Sequence, residues 1–240
     1  MQLPWNVNIN KKDIVLEVGP GAYPYYRSDV YIDKFDPNED VALEQFGGKR
    51  LENSKNIPHY VTKDGTFSFK DKAFDYVICS HVLEHVPQSQ IDLLMNEIQR
   101  VSKRGYIEFP SIFFESIYNY DVHLNILDYY QDMIYLLDKD DTNFNMIKPF
   151  TDVMIKSRKL WKGFEKINRP LMAVAFEWSG KIPKIKLVNQ EEFLEMINKK
   201  YFNDVQRIEA YDYNWFQKRL FRLKEKMYKH SKLDIKSIEK

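Results

Sequence analysis

VLEVGPGA, residues 15 to 22, decides how the first half of this chain reads. An apolar run that stops at a Gly-Pro-Gly turn has the look of a strand buried on both faces in a parallel sheet. Glycines at 19 and 21 let a ligand come close to the backbone, and they leave amide donors exposed where the next segment starts. A dinucleotide site would want a third glycine at 24, so that a helix could pack under a pyrophosphate. That position is Pro24, and the carboxylate of Glu17, two residues before the first glycine, would repel a pyrophosphate. The same carboxylate suits a ligand that carries an ammonium and a sulfonium.

Working outward, short apolar runs recur at Asp13–Val18, Asp29–Phe35, near His59–Val61, at Phe74–Cys79 and at Tyr106–Phe109, while IDLLMNEIQRV before Ser102 has apolar residues at helical spacing. Strands alternating with helical patterns predict an α/β, Rossmann-like doubly wound sheet. From Ser111 to about Pro183 the pattern changes: aromatic residues, Asp, Asn and Lys mix without alternation, before the helix-like QEEFLEMINKK and the strand-like DVQRIEAY return. The expected organisation is one domain, with a cofactor-binding core at 1–110, an aromatic-rich substrate-binding cap at 111–185, and a return to the core sheet with a basic C-terminal helix at 186–240.

At 240 residues and 44% hydrophobic content the chain can bury a full core, and a net charge of +1 gives no reason to expect nucleic acid as a partner. The single cysteine, Cys79, excludes an internal disulfide and any multi-cysteine metal site. MQLPWNVNINKKD lacks the layout of a secretory leader, and no apolar stretch approaches the roughly 18 residues of a membrane span, so a cytoplasmic, soluble protein is expected. Gln217–Lys240 is strongly basic, with Leu220, Leu223 and Met227 at helical spacing. It reads as a solvated terminal helix or as a helix for a membrane surface or partner.

Three pieces in order, VLEVGPGA, YID at 31–33 and KDGTFSFKDKAFDYVICSHVLEHV at 63–86, resemble class I S-adenosylmethionine-dependent methyltransferases of the small-molecule and sugar branch. The resemblance covers roughly residues 10 to 110. It implies S-adenosylmethionine as cofactor, with Glu17, Gly19 and Gly21 at the methionine moiety and Ala22 beside them. Asp33 would accept from both ribose hydroxyls, Asp64 and Gly65 would meet the adenine, and Ser80 and His81 would flank the methionine tail. A paired carboxylate at Asp33 also makes sense alone, since a buried diol needs acceptors to offset its desolvation.

HVLEH at 81–85 spells the inverted zinc-protease signature. Because it directly follows a buried strand of an α/β sheet, the methyltransferase reading takes precedence, no metal ligand is assigned, and a zinc hydrolase stays a distant alternative. Methyl transfer from sulfonium is an in-line displacement, so the protein chiefly aligns donor and acceptor and excludes water. An alcohol acceptor needs a base, and the candidates are His85 and His123, with His81, Glu108 and Glu115 behind them. Trp161, Phe164 and Trp178, with polar runs such as DKDDTN, suit a carbohydrate-type acceptor such as a surface polysaccharide or its nucleotide-linked precursor, although the aromatics equally suit a core of the cap itself. A non-catalytic binding module on the same fold is the other reading.

Overall fold

The computed structural model describes residues 7–45, 48–51, 56–142, 172–203, 228 and 233–240. Its main sheet has the order β3-β2-β1-β4-β5-β8, from β1 (Val15–Val18), β2 (Val30–Asp33), β3 (His59–Val61), β4 (Tyr76–Ser80), β5 (Arg104–Pro110) and β8 (Ala173–Ser179). The first five are parallel and β8 runs antiparallel beside β5. All four residues of β1 are buried, as its unbroken apolar run predicts for a strand covered on both faces. From β1 the chain steps outward to β2 and β3, then crosses back to β4 on the other side of β1. The C-terminal ends of β1 and β4 therefore flank a topological switch point, where a crevice opens.

A short helix α1 (Asp40–Gln45) follows β2, and α2 (Gln88–Val101) precedes β5. Helix α2 turns Ile91, Leu94, Met95, Ile98 and Val101 inward, an apolar stripe at three- and four-residue spacing. Glu97 lies in this stripe without an energetic conflict, since it accepts from Phe67 N at 2.6 Å and pairs with Arg100 at 2.6 Å. Arg100 in turn donates to the carbonyls of Phe67 and Phe69, so the loop carrying the 63–70 segment is clamped to the helix.

Beyond α3 (Ile112–Tyr118), a second sheet forms from β6 (Asn125–Tyr130), β7 (Met133–Asp138) and β9 (Lys184–Val188). Helix α4 (Gln190–Asn198) packs Phe193 and Met196 on Ile126, Leu137 and Val188 of this sheet. The last helix, α5 (Ile235–Ile238), puts Ile238 into the main core, and Glu239 accepts from the Tyr60 hydroxyl at 2.8 Å.

Two expectations shift. Strand β8 falls inside the stretch read as a cap, yet it completes the main sheet, and Trp178 is 5% exposed within the main core rather than over a substrate. Its pairing partner is β5, distant in sequence, so no local pattern marks it. QEEFLEMINKK does form a helix, but it lies on the second sheet and not on the first. Trp161, Phe164, DVQRIEAY, Leu220, Leu223 and Met227 lie outside the described residues. Among the described residues no helix is long and apolar enough to cross a membrane.

Candidate active site

A cavity of about 750 Å³ opens at the switch point, within the range usual for small-molecule and cofactor sites. Its wall is built from the segments that leave β1, β2, β3 and β4: Gly19, Gly21 and Ala22, then Asp33, Lys34 and Phe35, then Thr62, Lys63 and Gly65, then His81, Val82 and His85. Gly19 and Gly21 have φ of +62° and +57°. A Cβ at Gly19 would sit 2.5 Å from Val82 Cγ2, whereas one at Gly21 meets nothing within 4 Å. The first glycine serves close packing of two loops, and the second leaves the backbone open to a ligand.

Asp33 ends β2 with 8% exposure, and its carboxylate accepts from Phe35 N at 3.2 Å. An ionised carboxylate offers about four acceptor positions, so capacity is left for a diol. Burial pushes its carboxyl up to about 6. His81, also on the wall, is in the left-handed region, φ 55°, held by its own N–H to Glu108 O at 2.9 Å. Burial opposes charge on this imidazole, but the carboxylates of Glu108, 3.0 Å from Nε2, and Glu84, 3.2 Å from Nδ1, outweigh it and raise the pKa to about 9. His81 thus stands on the cavity wall with both ring nitrogens committed to carboxylates behind it.

Several expected residues act behind the wall instead. Glu17 does not line the cavity: it accepts from Tyr25 N at 2.9 Å and from Ser28 Oγ at 2.6 Å, and so closes the 19–28 loop. Burial raises its carboxyl to about 7. Asp64 is also absent from the wall, being exposed and accepting from Thr66 N at 3.0 Å and Thr66 Oγ1 at 2.7 Å, bonds that hold its carboxyl below the usual range and shape the turn at Gly65. Ser80 donates to Glu108 at 3.1 Å, and Glu108 is fully buried, accepting also from the Tyr106 hydroxyl. Glu108 is thus the anchor of His81 and does not reach the cavity.

His85 lines the cavity, and its Nδ1 donates to Val122 O at 3.0 Å. Burial lowers its pKa. His123, in the loop between α3 and β6, lines a second cavity of about 680 Å³ with Asn119, Asp121, Asn125, Asp138 and Lys139. Leu124 borders both cavities, and the rings of His85 and His123 lie 4.7 Å apart. The inverted zinc signature does not assemble: Leu83–His85 is a 3-10 turn, and both nitrogens of His81 face carboxylates. Lys34 and Phe35 were not anticipated on the wall, although their place right after Asp33 could have marked them.

The raised carboxyl of Glu17 predicts a pH effect. A group neutral in the fold but ionised when unfolded stabilises below the unfolded pKa and loses that advantage as pH rises through the folded one. Thermal unfolding is expected to show stability falling between pH 4.5 and about 7, by about 3 kcal/mol from Glu17. Asp33 adds a smaller part in the same direction. Glu17→Gln should flatten most of that limb; an unchanged limb in this variant would assign the loss to other groups.

Residues 24–107 match the sequence family described as Methyltransferase domain. Among solved structures, the chain is similar to the PH0226 protein of Pyrococcus horikoshii (23% identity, 41% of this chain, 46% of that one, TM-score 0.33). Others are the YcgJ protein of Bacillus subtilis (16%, 47%, 52%, 0.32) and the 1,6-didemethyltoxoflavin-N1-methyltransferase of Burkholderia thailandensis, solved with its substrate and S-adenosylhomocysteine (18%, 41%, 45%, 0.30). The chain spans about half the length of the solved structures it matches. No curated relative matches.

The family match falls on the sheet and loops that build the larger cavity, so that region is similar to a methyltransferase domain. S-adenosylmethionine is the methyl donor that the sequence resemblance implies. The residues present fit that group: an open glycine backbone at 21 and a buried carboxylate at 33 for a ribose diol.

Proposed function

We propose that the chain transfers the methyl group of S-adenosylmethionine to an oxygen of a small polar acceptor of carbohydrate type, a surface polysaccharide or its nucleotide-linked precursor, in the cytoplasm. The observation that carries this reading is the adjacency of the two cavities, which share Leu124. One has the attributes of a donor site. The other is lined by amide, carboxylate and ammonium groups, with Tyr120 packed 5.4 Å from the His123 ring, a combination suited to hydroxyl-rich ligands.

In this reading Gly19, Gly21, Ala22, Asp33, Gly65 and His81 hold the donor directly. Glu17, Asp64 and Ser80 act one step back, by holding the loops that carry them. His85 and His123 lie on the acceptor side, where an imidazole can take the proton an alcohol loses as oxygen attacks the methyl carbon. Glu108 supports this chemistry through His81. When bound, S-adenosylmethionine supplies an electrophilic methyl on a sulfonium, and the protein's part is alignment and exclusion of water.

The test is transfer of label from methyl-labelled S-adenosylmethionine to a panel of nucleotide sugars, lipid-free glycans and small phenols, with products identified by mass. Incorporation into a sugar hydroxyl, reduced at least tenfold in His123→Ala, is the expected result. Label appearing on nitrogen or only on phenols would overturn the carbohydrate assignment, and no transfer by protein that binds the donor would favour the binding-module reading.

A further inference from the structure

We infer that Glu84, His85 and His123 form a binding site for a divalent first-row transition-metal ion, at the boundary between the two cavities. One ligand atom from each residue lies within 4.8 Å of the others. Bonds of about 2.0–2.2 Å to a tetrahedral ion bring ligand atoms to about 3.3 Å, so ligation draws the widest pair together by roughly 1.5 Å.

The hydrogen bonds around the cluster argue for a cation rather than for another hydrogen-bonded group. His85 commits Nδ1 to the carbonyl of Val122 at 3.0 Å, and His123 commits Nδ1 to Glu115 Oε1 at 2.5 Å. A neutral ring whose Nδ1–H is donated to a fixed oxygen carries a lone pair on Nε2, and this arrangement, with a carbonyl or carboxylate behind each imidazole, is what orients metal-bound histidines. The third member supplies the independent observation. Glu84 is 1% exposed, and while its Oε1 accepts from His81 at 3.2 Å, its Oε2 is buried with no hydrogen-bond partner. His85 Nε2 is 4.0 Å from Glu84 Oε1. A buried acceptor without a hydrogen-bond partner thus lies beside two imidazoles, at a penalty if nothing fills the gap.

The surrounding charges leave room for a cation. Three buried carboxylates, Glu84, Glu108 and Glu115, lie around the cluster, with the Nζ of Lys139 4.0 Å from Glu115 Oε2. Two imidazoles and one carboxylate suit Zn²⁺, Co²⁺, Fe²⁺ or Mn²⁺ and leave positions open for water or substrate. The set differs from the inverted protease signature in both membership and role, since His123 replaces His81 and Glu84 is a ligand, not a base. It also reverses the expectation of no metal ligand. For its purpose the site rests on the acceptor reading above: a metal-bound hydroxyl gives up its proton more readily, so His85 and His123 would act on the acceptor through the ion and not as bases themselves. Binding of the ion is independent of that reading.

The experiment uses tag-free, chelator-treated full chain titrated with Zn²⁺ and with Co²⁺, followed by calorimetry and by the visible Co²⁺ spectrum, beside His85→Ala, His123→Ala and Glu115→Gln. The expected result is one equivalent bound at micromolar or tighter affinity, weakened at least a hundredfold by either histidine change and about tenfold by Glu115→Gln. Circular dichroism of each variant, and S-adenosylhomocysteine binding by His123→Ala and Glu115→Gln, show that the fold persists. Binding only at millimolar or fractional stoichiometry, or binding that survives His123→Ala, would overturn the site. Wild-type protein that binds metal but not S-adenosylhomocysteine would sink the methyltransferase reading and leave the metal site standing.

Discussion

Replacing Asp33 with alanine is expected to abolish S-adenosylhomocysteine binding in calorimetric titration of chelator-treated protein, while the wild type binds in the micromolar range. The carboxylate sits at the end of a buried strand, 8% exposed, held by one backbone N–H at 3.2 Å. Two hydroxyls donating to a charged acceptor contribute about 1.5–3 kcal/mol each, so their joint loss is about a hundredfold or more in affinity. Asp33→Asn should fall between, since an amide retains one acceptor oxygen. The fold should not suffer: burial raises this carboxyl to about 6, so near neutral pH the charge is a destabilising element of the free protein, and the alanine variant should melt no lower. Equal affinity in the variant would remove the ribose role from Asp33. Absence of binding by folded wild type would remove the donor site altogether.

Gly105→Ala is expected to produce the largest loss of stability of any single methyl addition among the described glycines. Gly105 pairs with Val77 in the β4–β5 ladder, and a Cβ there would lie 2.5 Å from the Val77 carbonyl oxygen and 3.0 Å from Trp178 Nε1. A side-chain clash can relax by rotation. A clash with a ladder carbonyl moves a central strand, so the cost lies at or above the upper end of the range for overpacking, about 3 kcal/mol or more, which lowers the thermal midpoint by roughly 6–12 °C for a chain of this size. Gly21→Ala is the matched control, since a Cβ there meets nothing within 4 Å and only its φ of +57° resists substitution, at about 1–2 kcal/mol. A midpoint for Gly105→Ala within about 2 °C of wild type would show that β4 and β5 do not approach this closely.

These two residues show which parts of the protein the amino-acid order reveals. Asp33 was legible because it ends an apolar run that follows a glycine turn, and each of those features depends on a few neighbouring residues. Gly105 carries no such mark; its need for a missing side chain is set by Val77 and Trp178, brought to it by sheet pairing. Glu17 shows an intermediate case. Its position before the turn was legible, but the direction of its carboxylate, toward Tyr25 and Ser28 and away from the cavity, depends on how the 19–28 loop closes.

The acceptor side divides the same way. His85 and His123 each stand out as titratable residues, yet nothing in their spacing says that their rings lie 4.7 Å apart. Nor does it say that Glu115 and the Val122 carbonyl hold these rings, or that His81 bridges Glu84 and Glu108. The sequence by itself determined the strand-and-turn frame of the donor site, because apolar runs and positive-φ glycines express local backbone physics. Only the tertiary structure decided which carboxylates face which imidazoles and that β8 closes the main sheet, because both follow from long-range pairing that no local pattern encodes.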